Sequence, residues 1–339
     1  MLQISARADR DLHCNIFLKD GNFEYKVEHA WAQWPAEVKG SDVPGIACDE
    51  EDNLYVTTSH RDYPICIFAP DGKFLRTIGK GLFVRPHSVF VTSRKTLLCA
   101  DSSAVLHAVR ELDMDGNLVR NYGNPFHPSD SGYDVDAFFN AKIKGIIPPD
   151  TPYDNMTEFF LQMDTITHIA PPFNRPCHMI IAPNGEMFAA DGYGNAAVHK
   201  FTPDGTLVKS WGGPGTETGK FRLVHWVWAD KYNRIWVCDR ENSRAYAYNT
   251  AGDIICVLQG GFRRLASCWS DDKNVYFGGL GGDLSIIDID SLELVGQFGF
   301  PGTIILRCHG LCGDSHGNLY ISSISGSRPT GNLFKFVRQ

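Results

Sequence analysis

No apolar run of about 18 residues, the minimum for a membrane-spanning helix, occurs anywhere in this chain of 339 residues. The opening stretch MLQISARADRDLHC carries charge where an export signal needs an apolar segment. The expectation is a cytoplasmic protein with no membrane contact. Paired cysteines are missing too: there are ten, with no CxxC pair, and Cys66, Cys99, Cys238 and Cys256 fall inside apolar strand-like runs. That pattern suits buried free thiols in a reducing compartment rather than a disulfide framework. A basic excess is also lacking, since 32 Lys and Arg stand against 39 Asp and Glu. A phosphate-tracking surface that binds by counterion release is therefore not expected, and no nucleic-acid partner is expected with it. Apolar content is ample, at 43% hydrophobic and 12% aromatic, so the chain can bury a full core.

What the chain does have is internal repetition. One module reads as a short apolar strand, a turn with Asp, Asn or Gly, a strand of the LYV or IWV type, a polar loop, a strand ending in an aromatic, then DG and a last strand. The clearest copy is RPCHMIIAPNGEMFAADGYGNAAVHKFTPDGTLVKSWG, residues 175–212, and others begin at Pro44, Arg85, Arg222, Arg264 and Arg307. Four β-rich runs per copy, separated by turn signals, are the pattern of a four-stranded antiparallel blade. Six copies predict an all-β fold, a six-bladed β-propeller forming a single domain over 1–339. The last copy ends after its third strand, so residues 22–34 (NFEYKVEHAWAQW) are expected to supply the closing strand and remove an open edge. Residues 124–174 break the period as a long insertion between the second and third copies, either a lid over one face or a plain surface excursion.

Aligning the copies at the start of their first strand brings Gly45, His87, Cys177, His225, Ala266 and His309 into one column. The first strand of each blade is innermost, so this column becomes a ring at the mouth of the channel. Histidines from the second, fourth and sixth blades then stand about 120° apart by the symmetry of the fold. Three converging imidazoles leave coordination positions open, as a catalytic Zn²⁺ or another divalent metal requires. The competing reading is three polar side chains hydrogen-bonded around a wet channel. His178 falls one position out of register and should turn away from the ring, and Cys177 is expected to be a buried thiol.

The loop between the second and third strands of each blade returns to the same face and can overhang the centre. In the first copy this loop is TSHRDYP, with His60 and Arg61; in the third it is DGYGN, with Tyr193; in the fourth it is DRENSR. Arg61 suits a planar anion held bidentately, and Tyr193 suits a proton acceptor beside a metal and an arginine. A surface ion pair with Asp62 and a rim aromatic are the respective alternatives. Arg307, beside His309, joins Arg61 as a candidate substrate contact, and His60 joins Arg61 and Tyr193 as a candidate catalytic group. Asp191 and Asp239 recur at turn positions and are read as structural caps.

PFNRP, DGYGNAAVHKF, DREN and the PH-type strand starts resemble those of the NHL-repeat peptidyl-α-hydroxyglycine α-amidating lyases, over most of the chain from Pro44 onward. The resemblance implies zinc on His87, His225 and His309, with catalytic roles for Arg61 in an HR pair and Tyr193 in a DGY pair. Where the amidating members carry Met-Pro-His-Asp, this chain has Arg307-Cys308-His309-Gly310. The missing aspartate removes a basis for the structural calcium, and the altered neighbours favour a small-molecule substrate over a peptide. The expected activity is a metal-dependent lyase acting on a C–N or C–O bond of a hydroxylated, carbinolamide-like compound. A hydratase, dehydratase or lactonase on the same metal, and a non-catalytic NHL scaffold for protein or RNA, are the alternatives.

Overall fold

The computed structural model describes residues 16–299, 307–324 and 332–339; the charged opening stretch and Cys14 lie outside them. Six antiparallel sheets form the six blades of a β-propeller, five of four strands and one of five. Blade 1 runs outward through Ile46–Cys48, Leu54–Thr57, Ile65–Phe68 and Phe74–Ile78. The innermost strands of blades 2 to 5 are Pro86–Val91, Pro176–Ile181, Val224–Ala229 and Leu265–Ser270. Blade 6 starts with Gly310–Gly313 and Leu319–Ser322 and continues into Leu333–Arg338.

Burial follows position within the blade. Middle strands such as LYVT, ICIF and IWVCD are buried on both faces, because each blade is covered by a neighbour on either side. Outermost strands such as LVRNYG are mostly exposed. Large aromatics fill the wedges between blades, with Trp226, Trp236, Tyr246 and Tyr248 fully buried. Each such side chain contributes roughly 1.5–3 kcal/mol by leaving water.

The ring closes through the N-terminal segment. Phe23–Glu28 pairs antiparallel with Leu333–Arg338, Val27 lying opposite Phe336. A second strand, Ile16–Asp20, then adds outside it through a hairpin turn at Gly21, whose φ of 57° favours glycine. Closure thus takes two strands instead of the one expected. Residues 29–34 leave the sheet: Trp31 packs edge-on against Tyr320, and Gln33 N–H donates to Gly72 O at 2.8 Å. Gly72 has φ 84°, and a Cβ there would fall 2.0 Å from Trp31 O.

The insertion at 124–174 carries two helices, α1 (Ala137–Ile143) and α2 (Asn155–Asp164). Extended Asp154 caps α2 by accepting from Thr157 N–H at 2.7 Å, and Glu158 in the first turn complements the helix dipole. Arg222 ties α2 to blade 4 through Asp164 at 2.8 Å. At the other end of the channel lies a small cavity of about 70 Å³ lined in part by Ile46, Val89, His178, Trp226 and Trp228. All nine described cysteines are free thiols.

Candidate metal centre

The three histidines are aimed by a backbone device repeated around the ring. In blade 2, Pro86 pairs with Asp101 and Ser88 with Ala100, so His87 is the extra residue of a β-bulge. The same shift occurs between Val224 and Trp226 in blade 4, leaving His225 unpaired. Cys177 and Ala266 occupy the bulges of blades 3 and 5. A bulge bends its strand and redirects the side chain of the extra residue, here toward the axis. His309 enters just ahead of its strand, its N–H held by Ser322 O at 2.8 Å.

Each imidazole then bonds to the next blade. His87 Nδ1 lies 2.8 Å from Cys177 O, His225 Nδ1 2.5 Å from Ala266 O, and His309 Nδ1 2.6 Å from Pro44 O. A carbonyl can only accept, so all three Nδ1 atoms must carry the proton. Even-numbered blades thus supply imidazoles and odd-numbered blades the carbonyls that orient them, the outer-shell arrangement typical of metal-ligating histidines.

The consequence is three Nε2 lone pairs turned toward one another. They lie within 4.8 Å of each other, and His225 Nε2 and His309 Nε2 are 3.2 Å apart. Two lone pairs at that distance repel unless a cation lies between them. Burial, the neighbouring imidazoles and the Arg240 guanidinium hold His87 and His225 well below the ordinary histidine range. Burial and Arg240 hold His309 down at about 3. The ligands are therefore neutral at pH 7, as metal binding requires. Tetrahedral zinc with bonds of about 2.0–2.1 Å separates its nitrogens by roughly 3.3 Å, so the donor set fits and this buried group could hold a metal ion.

The fourth side of the centre is closed by Tyr193. Its Oη lies 3.2 Å from His87 Nε2 and 3.2 Å from His225 Nε2, and Arg240 Nη1 donates to it at 3.0 Å. Gly192 lets this loop sit against blade 4, since a Cβ there would fall 2.2 Å from Val224 O. Arg240 is 3% exposed and pairs through Nε with Glu241 at 2.7 Å, and Glu241 also receives Arg264 at 2.8 Å. The insertion roofs this group. Phe159 of α2 packs against the Tyr193 ring, and Arg240 lies over Phe159 at 5.3 Å. Gln162 of α2 accepts from Tyr133, which in turn accepts from Arg175.

Two other candidates, Arg61 and His60, lie elsewhere. Arg61 is exposed, its charge acting on Asp62. His60 is turned into its own loop, with Nδ1 accepting from Asp62 N–H at 3.1 Å and its ring edge-on to Tyr63. Thr58 holds that loop as a local turn through Tyr63 O and Pro64 O, which keeps it from reaching inward. Arg307 is exposed at the entry to blade 6. The structure therefore puts Arg240, not Arg61, against Tyr193. Arg240 follows the Asp that ends its blade's second strand, in the DRENSR loop, so its loop was visible in the repeat but its reach was not.

His178 stands away from the centre, stacked on Trp226 at 3.9 Å, and among the described residues the metal-competent group contains only His87, His225 and His309. Cys177 contributes its carbonyl; burial pushes its thiol up to about 12. Asp191 and Asp239 act as caps, accepting from backbone N–H of Asn174 and of Arg222 and Leu223.

No family model matches the chain. NHL repeat-containing protein 3 of Mus musculus is 26% identical over 213 residues, 60% of this chain and 51% of that protein. The chain spans about half the length of the curated relatives it matches first. Peptidyl-glycine alpha-amidating monooxygenase B of Xenopus laevis is 30% identical over 83 residues, 23% of this chain and 10% of that protein. Among solved structures, a catalytically inactive virginiamycin B lyase from Staphylococcus aureus with quinupristin superposes with TM-score 0.58 at 12% identity, covering 92% of this chain and 99% of that one. At that identity the likeness is one of fold. The similarity to NHL-repeat proteins and amidating enzymes agrees with the resemblance seen in the sequence.

Proposed function

We propose that this propeller is a metal-dependent lyase that opens a C–N or C–O bond of a small hydroxylated, carbinolamide-like substrate. The observation that carries the reading is the tautomer lock: three Nδ1–H groups committed to carbonyls leave three Nε2 lone pairs at one point, beside Tyr193 Oη and Arg240. A divalent ion on those nitrogens, zinc by its donor set, would act as a Lewis acid and make a substrate hydroxyl more acidic.

The chain's own groups supply the rest. Tyr193 Oη is placed to take the hydroxyl proton, being within 3.2 Å of two of the ligating nitrogens. Acting as a phenolate, Tyr193 accepts that proton; the carbinol C–O bond becomes a carbonyl as the C–N or C–O bond to the leaving group breaks, and Tyr193 returns the same proton to the leaving atom. Arg240, fixed by Glu241, is the cation positioned for a substrate carbonyl or carboxylate. Phe159 lies edge-on to the Tyr193 ring beside the group. The reaction is redox-neutral.

The test is product analysis with N-acyl carbinolamides in ¹⁸O-labelled water. Lyase cleavage releases the amide and an aldehyde-type product whose oxygen is the substrate's own at the moment of release. Label in the released acyl product, or water added across a double bond, would instead assign a lactonase or hydratase to this centre. No turnover together with no metal would leave a binding scaffold.

A further inference from the structure

The alignment that brings the histidines together produces a second column two residues earlier: Val43, Arg85, Arg175, Leu223, Arg264 and Arg307. Four of six are arginine, in a protein whose formal charge is −7. Arg240 comes from the blade 4 loop, so five guanidinium groups are assigned to the channel mouth that holds the histidines. Arg240, Arg85 and Arg264 are among the charged groups that act on the three imidazoles most strongly. Arg175 lies over the Tyr193 ring at 5.6 Å.

Among the described residues, one carboxylate pairs directly with them. Glu241 is shared by Arg240 and Arg264. Among the described residues, no ion pair joins Arg85, Arg175 or Arg307 to a carboxylate. The nearby aspartates are turned to other partners. Asp101 accepts from the backbone N–H of Val84, Arg85 and Ser103, and Asp239 from those of Arg222 and Leu223 and from the Arg244 side chain. Asp191 accepts from Asn174 N–H, the Asn195 amide and His199. These hydrogen bonds leave the aspartates charged but hold them on backbone amides, so the guanidiniums of Arg85, Arg175 and Arg307 have no carboxylate partner among the described residues. Clustered cations of this kind repel one another and raise the local concentration of anions.

Resting on the metal-lyase reading of the same centre, we propose that its substrate is a small dianion or polyanion. One anionic group meets Arg240 beside the reacting carbon, and a second reaches the exposed rim arginines Arg85 and Arg307. A lone carboxylate would leave the rim unanswered; a neutral peptide end would leave the whole ring so. The second group is an oxyanion, carboxylate or phosphate, since the guanidinium fork accommodates both.

Calorimetry on the full-length protein at fixed ionic strength tests this, with succinate, pyrophosphate, acetate and succinamide as probes. The expected result is that succinate or pyrophosphate binds at least about tenfold more tightly than acetate and succinamide. Preference between the two identifies the second group as carboxylate or phosphate. Arg85→Gln and Arg307→Gln should each weaken dianion binding about five- to tenfold, with Arg85→Lys and Arg307→Lys retaining part of it. Equal binding of all four probes, or unaltered dianion affinity in both Gln variants, overturns the proposal. Metal content measured on the same samples tests the centre separately, because calorimetry reads anion binding with or without the ion.

Discussion

Acidification of the metal-free protein is a demanding test of the buried histidines. His87, His225, His309 and His178 are all driven down by burial, the last two to about 3, so none is charged in the folded state at pH 5.5. In the unfolded chain each titrates at the ordinary value of 6.5. Because the folded value is depressed, this stability is fully present above pH 6.5 and is lost as pH falls from there toward the folded value. Between pH 7.5 and 5.5 the loss is roughly 1 kcal/mol or a little more per histidine, about 5 kcal/mol for the four. Asp239, which burial raises to about 6, works in the opposite direction and returns less than about 1 kcal/mol over the same interval. The raised Asp191 and Asp283 have the same sign as Asp239. Since a typical domain is stable by about 5–15 kcal/mol, chelator-treated protein should show a steep fall in urea midpoint across this range. His309→Gln and His178→Gln should each flatten it by about one proton's worth of slope. An unchanged midpoint from pH 7.5 to 5.5 would refute the burial and neutrality assigned to these imidazoles.

Tyr193→Phe should retain metal and lower kcat by about 10²- to 10⁴-fold, the usual range for a lost proton-transfer group; an unaltered kcat removes Tyr193 from the reaction. Arg240→Gln should cost about 100-fold in kcat/KM while Arg61→Ala stays within about twofold, and the reverse order would assign the anion-holding role to Arg61. Gly192→Ala forces a Cβ to within 2.2 Å of Val224 O, so it should displace the Tyr193 loop and lower kcat as Tyr193→Phe does, with the fold intact by circular dichroism. Asp154→Ala removes the cap of α2 and should speed amide exchange in 155–164 in line with a loss of about 0.5–2 kcal/mol, leaving exchange in blade 5 unaltered.

The propeller was legible because its punctuation is local: DG turns in the first three copies, aromatic strand ends in several and strand-start strings need no tertiary information. The histidine column was legible for the same reason, since equivalent positions in a symmetric ring must converge. What could not be read was pairing register. The bulges that aim His87 and His225 exist only as a shift between two strands. Register also hid the extra closing strand Ile16–Asp20, whose hairpin depends on the left-handed Gly21. Loop reach was the other gap. Arg61 and Arg240 occupy corresponding loops, but Thr58 and His60 fold the first loop on itself while Glu241 directs Arg240 to Tyr193. The helices of the insertion, and the contact of Phe159 with Tyr193, depend on packing that no repeat encodes.

X-ray absorption at the zinc edge, on protein purified without added metal and quantified by elemental analysis, bears most directly on the centre. The expected result is one divalent ion per chain with three imidazole nitrogens at about 2.0–2.1 Å, and loss of that ion in His87→Ala, His225→Ala and His309→Ala. Full metal content in all three variants, or a shell built from sulfur or carboxylate oxygen, would contradict it.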